Sequence, residues 1–341
     1  MTEYVGFDVS KEETAFCVKD AAGKILAAGK VATDPDALLA AVREHCRCPG
    51  RIVLETGTLS GWLARELGER GLAVEVIDAR HAHALMRLQR NKSDAGDAAQ
   101  LAEIARLDAG QAVAVRSETL QRDRAVVEAR AHLQGQRLAT RNVIRGLLGA
   151  FGLRFPKGAG TLAARVREAL AERPELMAVV APLLDSIEAL SASFARLDDA
   201  VMRGAKESDA CRLLMTTPGI GPVNALTYVA TIGDAARFAD SRDVGAYLGL
   251  TTRRTQSGQI DYSGRISKRG DSLLRSLLYE AANCLLTRVR RAHPLKDWAR
   301  RIARRSGHKK ACVALARKLA VILHRMLITG EPFRWPQPAA A

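Results

Sequence analysis

YVGFDV, residues 4–9, is a short apolar run with one carboxylate inside it. It reads as a buried strand, and a charge buried there is costly unless something pairs with it. Asp8 therefore needs partners, and the surrounding sequence supplies an order of elements in which to look for them. TAFCVK (14–19) reads as a second strand, DAAGK (20–24) as a turn and ILAAGKV (25–31) as a third strand. Thr33-Asp34-Pro35 starts a helix, with a capping side chain and a proline in the first turn, that runs to about Cys46. RIVLE (51–55) is a fourth strand ending in Glu55, followed by a helix from Leu59 to about Arg70. AVEVI (73–77) is a fifth strand, and a short helix lies near 81–89. The order β-β-β-α-β-α-β-α predicts a mixed sheet flanked by helices, an α/β domain.

NKSDAGDAAQLAE (91–103) then opens a helix with Asp94 and Asp97 three residues apart. Side chains at that spacing share a face, with Cβ atoms about 5–6 Å apart. Adjacent central strands would bring Asp8 beside Glu55, and a helix packed across the sheet would add the aspartate pair. Four carboxylates suit Mg²⁺ or Mn²⁺, hard ions that prefer oxygen ligands. A pair of such ions about 3.5–4 Å apart activates an attacking oxygen and stabilises a leaving one. Each residue also has a simpler role available. Asp94 and Ser93 suit a helix start, Asp97 suits solvent, and Glu55 suits the amides of the Thr56-Gly57-Thr58 turn. Taken together, four such coincidences in one topology favour a site.

The remainder is helical and increasingly basic. Residues 117–206 read as two long helices with a glycine-rich break at 146–160, an antiparallel helical hairpin or coiled coil. A loop of roughly forty residues containing TQSGQIDYSGRISKRGD is expected after MTTPGIGPVNALTYVATIG, with helices near 271–290 and 308–328. The net charge of +15 is concentrated here: residues 211–341 hold 23 Lys+Arg against 8 Asp+Glu. Such a field captures polyanions, and arginine, its main contributor, matches phosphate geometry; nucleic acid is the expected partner. In PGIGPVNA (218–225), Gly219 and Gly221 permit a tight turn before Pro222, leaving amides for a phosphate, like a helix-hairpin-helix element. Arg253, Arg254, Arg265, Lys268 and Arg269 add cations around Ser257, Ser263 and Ser267. No run of about 18 consecutive apolar residues exists, and the charged opening MTEYVGFDVSK lacks a secretory pattern; no membrane and a cytoplasmic location are expected. Cys46 and Cys48, beside His45, lack a second ligand pair with zinc spacing, so the six cysteines read as reduced and structural.

GFDVSK (6–11), LETGT (54–58) and NKSDAGDAAQLA (91–102) resemble the Asp-Glu-Asp-Asp motifs of RuvC-like transposases of the IS one-ten family, relatives of the Piv/MooV DNA invertases. The resemblance continues through TPGIGPVNALTYVATIGD, AYLGLTTRRTQSG and GRISKRGDSLLRSLLYEAA. It implies an RNase H-like (RuvC-like) metal-binding domain over 1–112, a helical hairpin over 113–208, a mainly α transposase domain over 209–335 and a tail at 336–341. It further implies a transposase or site-specific recombinase in which Asp8, Glu55, Asp94 and Asp97 hold Mg²⁺ or Mn²⁺. The serine of the SG motif, carried over as Ser257, would attack DNA covalently, although Ser263 also precedes glycine. Donor and target DNA, an element-encoded bridge RNA and a homo-oligomer, dimer or tetramer, are the implied partners. Two other readings compete. A RuvC-like junction endonuclease would need the carboxylates but not Ser257, and an actin- or kinase-like ATPase shares the Asp-bearing first strand but leaves the basic end unexplained.

Overall fold

The computed structural model describes residues 1–86, 94–156, 162–258 and 260–335. Ser93 as a helix cap, the far end of the 81–89 helix, part of the 146–160 break and the 336–341 tail lie outside the described residues. The chain divides into two compact units, Met1–Ser117 and Glu118–Ala341.

In the first unit, β1 (Glu3–Val9), β2 (Glu13–Lys19), β3 (Ile25–Ala32), β4 (Pro49–Glu55) and β5 (Glu75–Ile77) form one sheet in the order β3-β2-β1-β4-β5. β1–β2 and β2–β3 pair antiparallel, while β4 runs parallel to β1 and β5 parallel to β4. Parallel pairing needs crossovers, supplied by α1 (Pro35–His45) and α2 (Ser60–Glu69). Asp34 caps α1, accepting from the Asp36 and Ala37 amides. Alternation along β1 sends Val5 and Phe7 into a core with Leu38, Val42, Leu54, Leu63 and Leu67. The same alternation turns Gly6 and Asp8 to the opposite face.

That opposite face is covered by α4 (Asp94–Arg106), which follows α3 (Ala79–Met86) and packs on β1, β2 and β4. Its approach to β1 and β2 is close because that part of the interface is made of small residues, Ala15 and Cys17 on β2 and Ala98 and Ala102 on α4, while Leu101 and Ile104 pack against Val53 and Ile77 toward β4 and β5. Over β1 no side chain intervenes. A Cβ on Gly6 would sit 2.2 Å from the Ala102 nitrogen and 2.4 Å from the Ala98 oxygen. Ion pairs pin the helix at both ends. Glu103 binds Lys19 of β2 at 2.9 Å and also Arg106, while Lys30 of β3 binds Asp94 at 2.6 Å. Arg51 of β4 donates to the Ala109 carbonyl at 3.0 Å, just beyond the helix.

The second unit is mainly helical. Helices α5 (Glu118–Gly149) and α7 (Pro174–Glu207) run antiparallel, as Arg130 pairs with Asp198 and Ile144 and Leu148 share a cluster with Val180 and Leu184. The short α6 (Leu162–Ala169) closes that end of the hairpin. By length and composition α7 is the described helix that passes for a membrane span: its most apolar 18-residue window has mean hydropathy 1.5 and is 17% buried. The other end of the hairpin joins a core built from α8 (Asp209–Met215), α9 (Pro222–Ile232), α10 (Asp243–Tyr247), α11 (Ser272–Thr287), α12 (Pro294–Ser306) and α13 (His308–Thr329). Asp271 caps α11 through the Leu274 amide at 2.6 Å and pairs with buried Arg124 of α5, which also donates to Thr231 at 3.0 Å.

Several elements differ from expectation: the short helices α8 and α10 stand where none was expected, and the ribbon and α12 depart most. The long loop carries an antiparallel ribbon, β6 (Thr252–Ser257) and β7 (Ile260–Ile266). Its strands hold few apolar side chains, so the alternation that normally discloses a strand is missing. Helix α12 was not expected at all, because PLKDWARRIARRS is dominated by charge. Yet it has a proline in its first turn, a His293 cap on the Leu295 amide and Gly307 after its end.

Replacing Gly6 by Ala forces α4 off the sheet. We expect a loss of about 2–3 kcal/mol in urea unfolding, beyond the effect of an ordinary strand Gly→Ala change. Arg106 first, and Lys19 with it, hold the Glu103 carboxyl down to about 2 from a usual value of 4.5, against burial, which raises it. The folded value lies below the unfolded one, so the stabilisation is fully present above about pH 4.5 and is lost as pH falls toward 2. Glu103→Gln should therefore cost ~1–2 kcal/mol at neutral pH, and its unfolding curve should converge on that of the wild type near pH 2.

Candidate functional site

Strand parity and pairing assemble an acidic cleft within the first unit. Phe7 and Leu54 are the last registered pair of β1 and β4, so Asp8 and Glu55 follow side by side at the strand ends on the α4 face. The first turn of α4 adds Asp94 and Asp97. All four line one polar cleft of about 160 Å³ together with Ser10, His83 and Leu101. None is deeply buried: Asp94 is exposed, and Asp8, Glu55 and Asp97 are half-buried.

The alternative role for Glu55 fails locally. The Thr56 amide donates to the Ile77 carbonyl at 2.8 Å and the Gly57 amide to the Ser60 hydroxyl at 3.1 Å. Glu55 instead faces the His83 Nε2 at 3.9 Å. Two further residues at the cleft escaped the sequence reading. His83 sits in HAHALM, an ordinary-looking helix with no distinguishing spacing. Lys30 looks like any solvated strand lysine, yet Asp94 beside it raises its pKa through a hydrogen bond and its charge.

The donor chemistry fits a hard divalent cation: four carboxylates, one accessible cleft, water within reach. In the arrangement present, no three His, Cys, Asp or Glu side chains among the described residues stand close enough to hold an ion, and Lys30 occupies an oxygen of Asp94. The Cys46–Cys48 segment is not a metal clip. Burial, with a hydrogen bond to Glu3, pushes the Cys46 thiol up to about 12, and His45 stacks on Phe16.

In the second unit the basic residues separate into three environments. Arg254 makes a two-pronged pair with Asp261 across the ribbon, Nε–Oδ1 2.8 Å and a second guanidinium nitrogen to Oδ2 2.5 Å. Arg253 donates to the Ser267 carbonyl at 3.1 Å. Arg265 and Lys268, with Ser263, line a groove against α13, which Ser257 does not line. Ser257 ends β6, exposed and paired with Ile260. Gly219 adopts the expected left-handed backbone, φ +86, but its turn is seated on α11, where a Cβ would lie 2.7 Å from the Ala281 oxygen. Gly221 caps α9 without a side-chain hydrogen bond. Gly219 and Gly221 are thus placed apart from the ribbon's groove.

The ribbon is held at its base by two backbones in direct contact. A Cβ on Gly249 would fall 2.1 Å from the Arg269 oxygen, and one on Gly270, at φ +107, 2.1 Å from the Tyr247 oxygen. Between them Lys268 takes a left-handed φ of 54 and donates its amide to Gly249 at 3.1 Å. Gly270→Ala should break this lock. The expected readout is hydrogen exchange at the Ser267 and Lys268 amides at least about tenfold faster, with core helix α13 unchanged.

Comparison with known proteins places both regions in one context. Residues 211–297 match the family described as Transposase IS116/IS110/IS902 family, and residues 5–152 match a DEDD-type model described as Transposase. The chain is 29% identical over 338 residues to the transposase for insertion sequence element IS1111A of Coxiella burnetii, covering 97% of this chain and 91% of that protein. It is 31% identical over 293 residues to a probable family 20 transposase of Pseudomonas aeruginosa, covering 84% and 86%. A pilin gene-inverting protein of Moraxella lacunata is 30% identical over 123 residues, 36% of this chain and 38% of that one.

Proposed function

We propose a chemistry for a chain that belongs to the IS116/IS110/IS902 family of transposases and so is an enzyme acting on DNA: its first unit is a RuvC-like nuclease domain working through Asp8, Glu55, Asp94 and Asp97. The observation that carries this reading is the convergence of those four carboxylates, from two strand ends and one helix turn, on a single cleft. Mg²⁺ or Mn²⁺ held by them would supply charge stabilisation at a phosphoryl oxygen and lower the pKa of an attacking group. Lys30 and His83 tune the same cleft. Lys30 offsets one acidic charge, and the His83 Nε2 faces Glu55 at 3.9 Å.

A nucleophilic serine on the basic ribbon would join this site. Its Oγ would bond to phosphorus as a strand P–O bond breaks, the hydroxyl proton leaving and the departing strand oxygen taking one up. The phosphoserine then keeps the phosphodiester energy for rejoining. Ser257, the SG-motif serine, is the primary assignment. Ser263 is a second reading, favoured because it lines the basic groove beside Arg265 and Lys268. The Gly221–Pro222 helix start and Arg253 and Arg269 would hold DNA backbone in a helix-hairpin-helix-like manner.

The same reading includes an element-encoded bridge RNA that selects donor and target by pairing, for which the basic last third provides an electrostatic footprint. It also includes a homo-oligomer formed through the helical hairpin. There Leu138, Val143, Val179 and Met202 expose half or more of their surface.

The test is strand exchange in cells, with the native element flanks supplied. Asp97→Ala and Ser257→Ala should each reduce recombination by about a hundredfold or more. Survival of Ser257→Ala alongside loss in Ser263→Ala would move the nucleophile. Survival of both serine variants, with Asp97→Ala dead, would leave a metal-dependent endonuclease. Binding of Mn²⁺ to purified protein should weaken by about tenfold or more in Asp97→Asn.

A further inference from the structure

The ribbon, α12 and α13 enclose a groove of about 1320 Å³ in the second unit. Its floor is apolar, formed by Leu250, Leu295, Val313, Val321 and Ile322 with the half-buried indole of Trp298. Its rim is cationic: Arg265 and Lys268 from the ribbon side, Lys310, Arg317 and Lys318 from α13. Among the described residues no Asp or Glu lines it. The Lys318 Nζ lies over the Trp298 ring, 4.8 Å from its centre, so drawing that ammonium to a phosphate would uncover an aromatic surface beside it.

A duplex would use only half of this arrangement. Its bases are stacked inside, and phosphate contacts need charge but no apolar floor. An unpaired strand presents both partners at once, phosphates to the rim and base faces to the floor. Charged grooves with aromatic platforms are how proteins hold single strands. The volume exceeds that of ordinary small-molecule pockets, about 300–1,000 Å³, and suits more than one nucleotide. We propose that this groove binds an unpaired DNA strand, with a base packed on Trp298 and its phosphates on Lys310, Arg317 and Lys318. It would hold a strand peeled from the duplex near the break. The proposal rests on the DNA-processing reading above but not on the carboxylates or the serine.

The experiment is anisotropy with the full-length, unaltered chain in the presence of a chelator, with the length of the labelled strand checked by gel afterwards so that any cutting is seen. It uses a labelled single-stranded DNA of about a dozen nucleotides, the same sequence as duplex, and the same sequence as single-stranded RNA. Trp298→Leu is expected to weaken single-strand DNA binding by about fivefold or more while leaving duplex binding within about twofold. Trp298→Phe, which keeps the packing and a stacking face, is expected to retain most of the affinity. Arg317→Ala should weaken the strand and lower the salt slope of binding. Equal losses for strand and duplex in Trp298→Leu, or no loss for either, would overturn the groove assignment while leaving the DNA reading intact. Tighter, Trp298-dependent binding of RNA would overturn DNA as the occupant. Failure of the full-length chain to bind either strand or duplex would overturn the groove proposal, while the DNA-processing reading would stand or fall on strand exchange in cells.

Discussion

The first unit depends on one contact in which helix backbone meets strand backbone with nothing between. Because position 6 has no side chain, α4 descends onto β1 until its own main chain, at Ala98 and Ala102, becomes the surface Gly6 touches. The depth of that seat dictates the rest of the layer. Neighbouring positions must be small, and they are, at Ala15 and Cys17. Larger side chains of the helix, Leu101 and Ile104, bury to one side of that seat against Val53 and Ile77, and the Lys19, Lys30 and Arg51 contacts hold its ends. Asp8 lies two residues along the same strand face from Gly6, so the depth that seats the helix also brings its first turn to Asp8. A thicker interface would leave the four carboxylates in place on their own elements yet spread apart.

The second unit uses the same device in another setting. Gly249 and Gly270 let two chain segments cross in contact, and the basic ribbon emerges from that crossing. Just beyond it, Asp271 serves two ends at once: it caps α11 and takes the charge of Arg124, whose guanidinium is otherwise buried in the helical core. Glu128 also pairs with that guanidinium, at 2.7 Å, so the buried charge is shared between two carboxylates and does not hang on Asp271 alone.

Most of the first unit was legible because its strands alternate or run apolar and its helices carry ordinary start signals. Asp34-Pro35 read as a cap and was one; Asp8 read as a charge in need of company and shares a cleft with three other carboxylates. What stayed hidden has a common cause. His83 and Lys30 reach the cleft through tertiary placement, which no local spacing encodes. The ribbon and α12 are written mostly in charged residues, so the hydrophobic period that announces an element is absent in one and overwhelmed in the other. The groove between them was illegible for the same reason: its apolar floor is gathered from Leu250, Trp298 and α13, positions far apart in the chain.

The ribbon's anchorage has a mechanical consequence. It is clamped at the Gly249–Gly270 crossing, while Ser257 stands at the far end of a six-residue strand, about 20 Å out at the usual rise of a β-strand. Such an arm magnifies small rotations at its root: a swing of about 10° would carry the tip ~3–4 Å, more than the misplacement of about 1 Å that costs a reaction heavily. A hydroxyl carried there is aimed only coarsely by the protein's own hinge. Final aim would have to come from whatever the arm grips: under the proposed chemistry, a DNA strand seated along the ribbon would itself steady the hydroxyl at its tip.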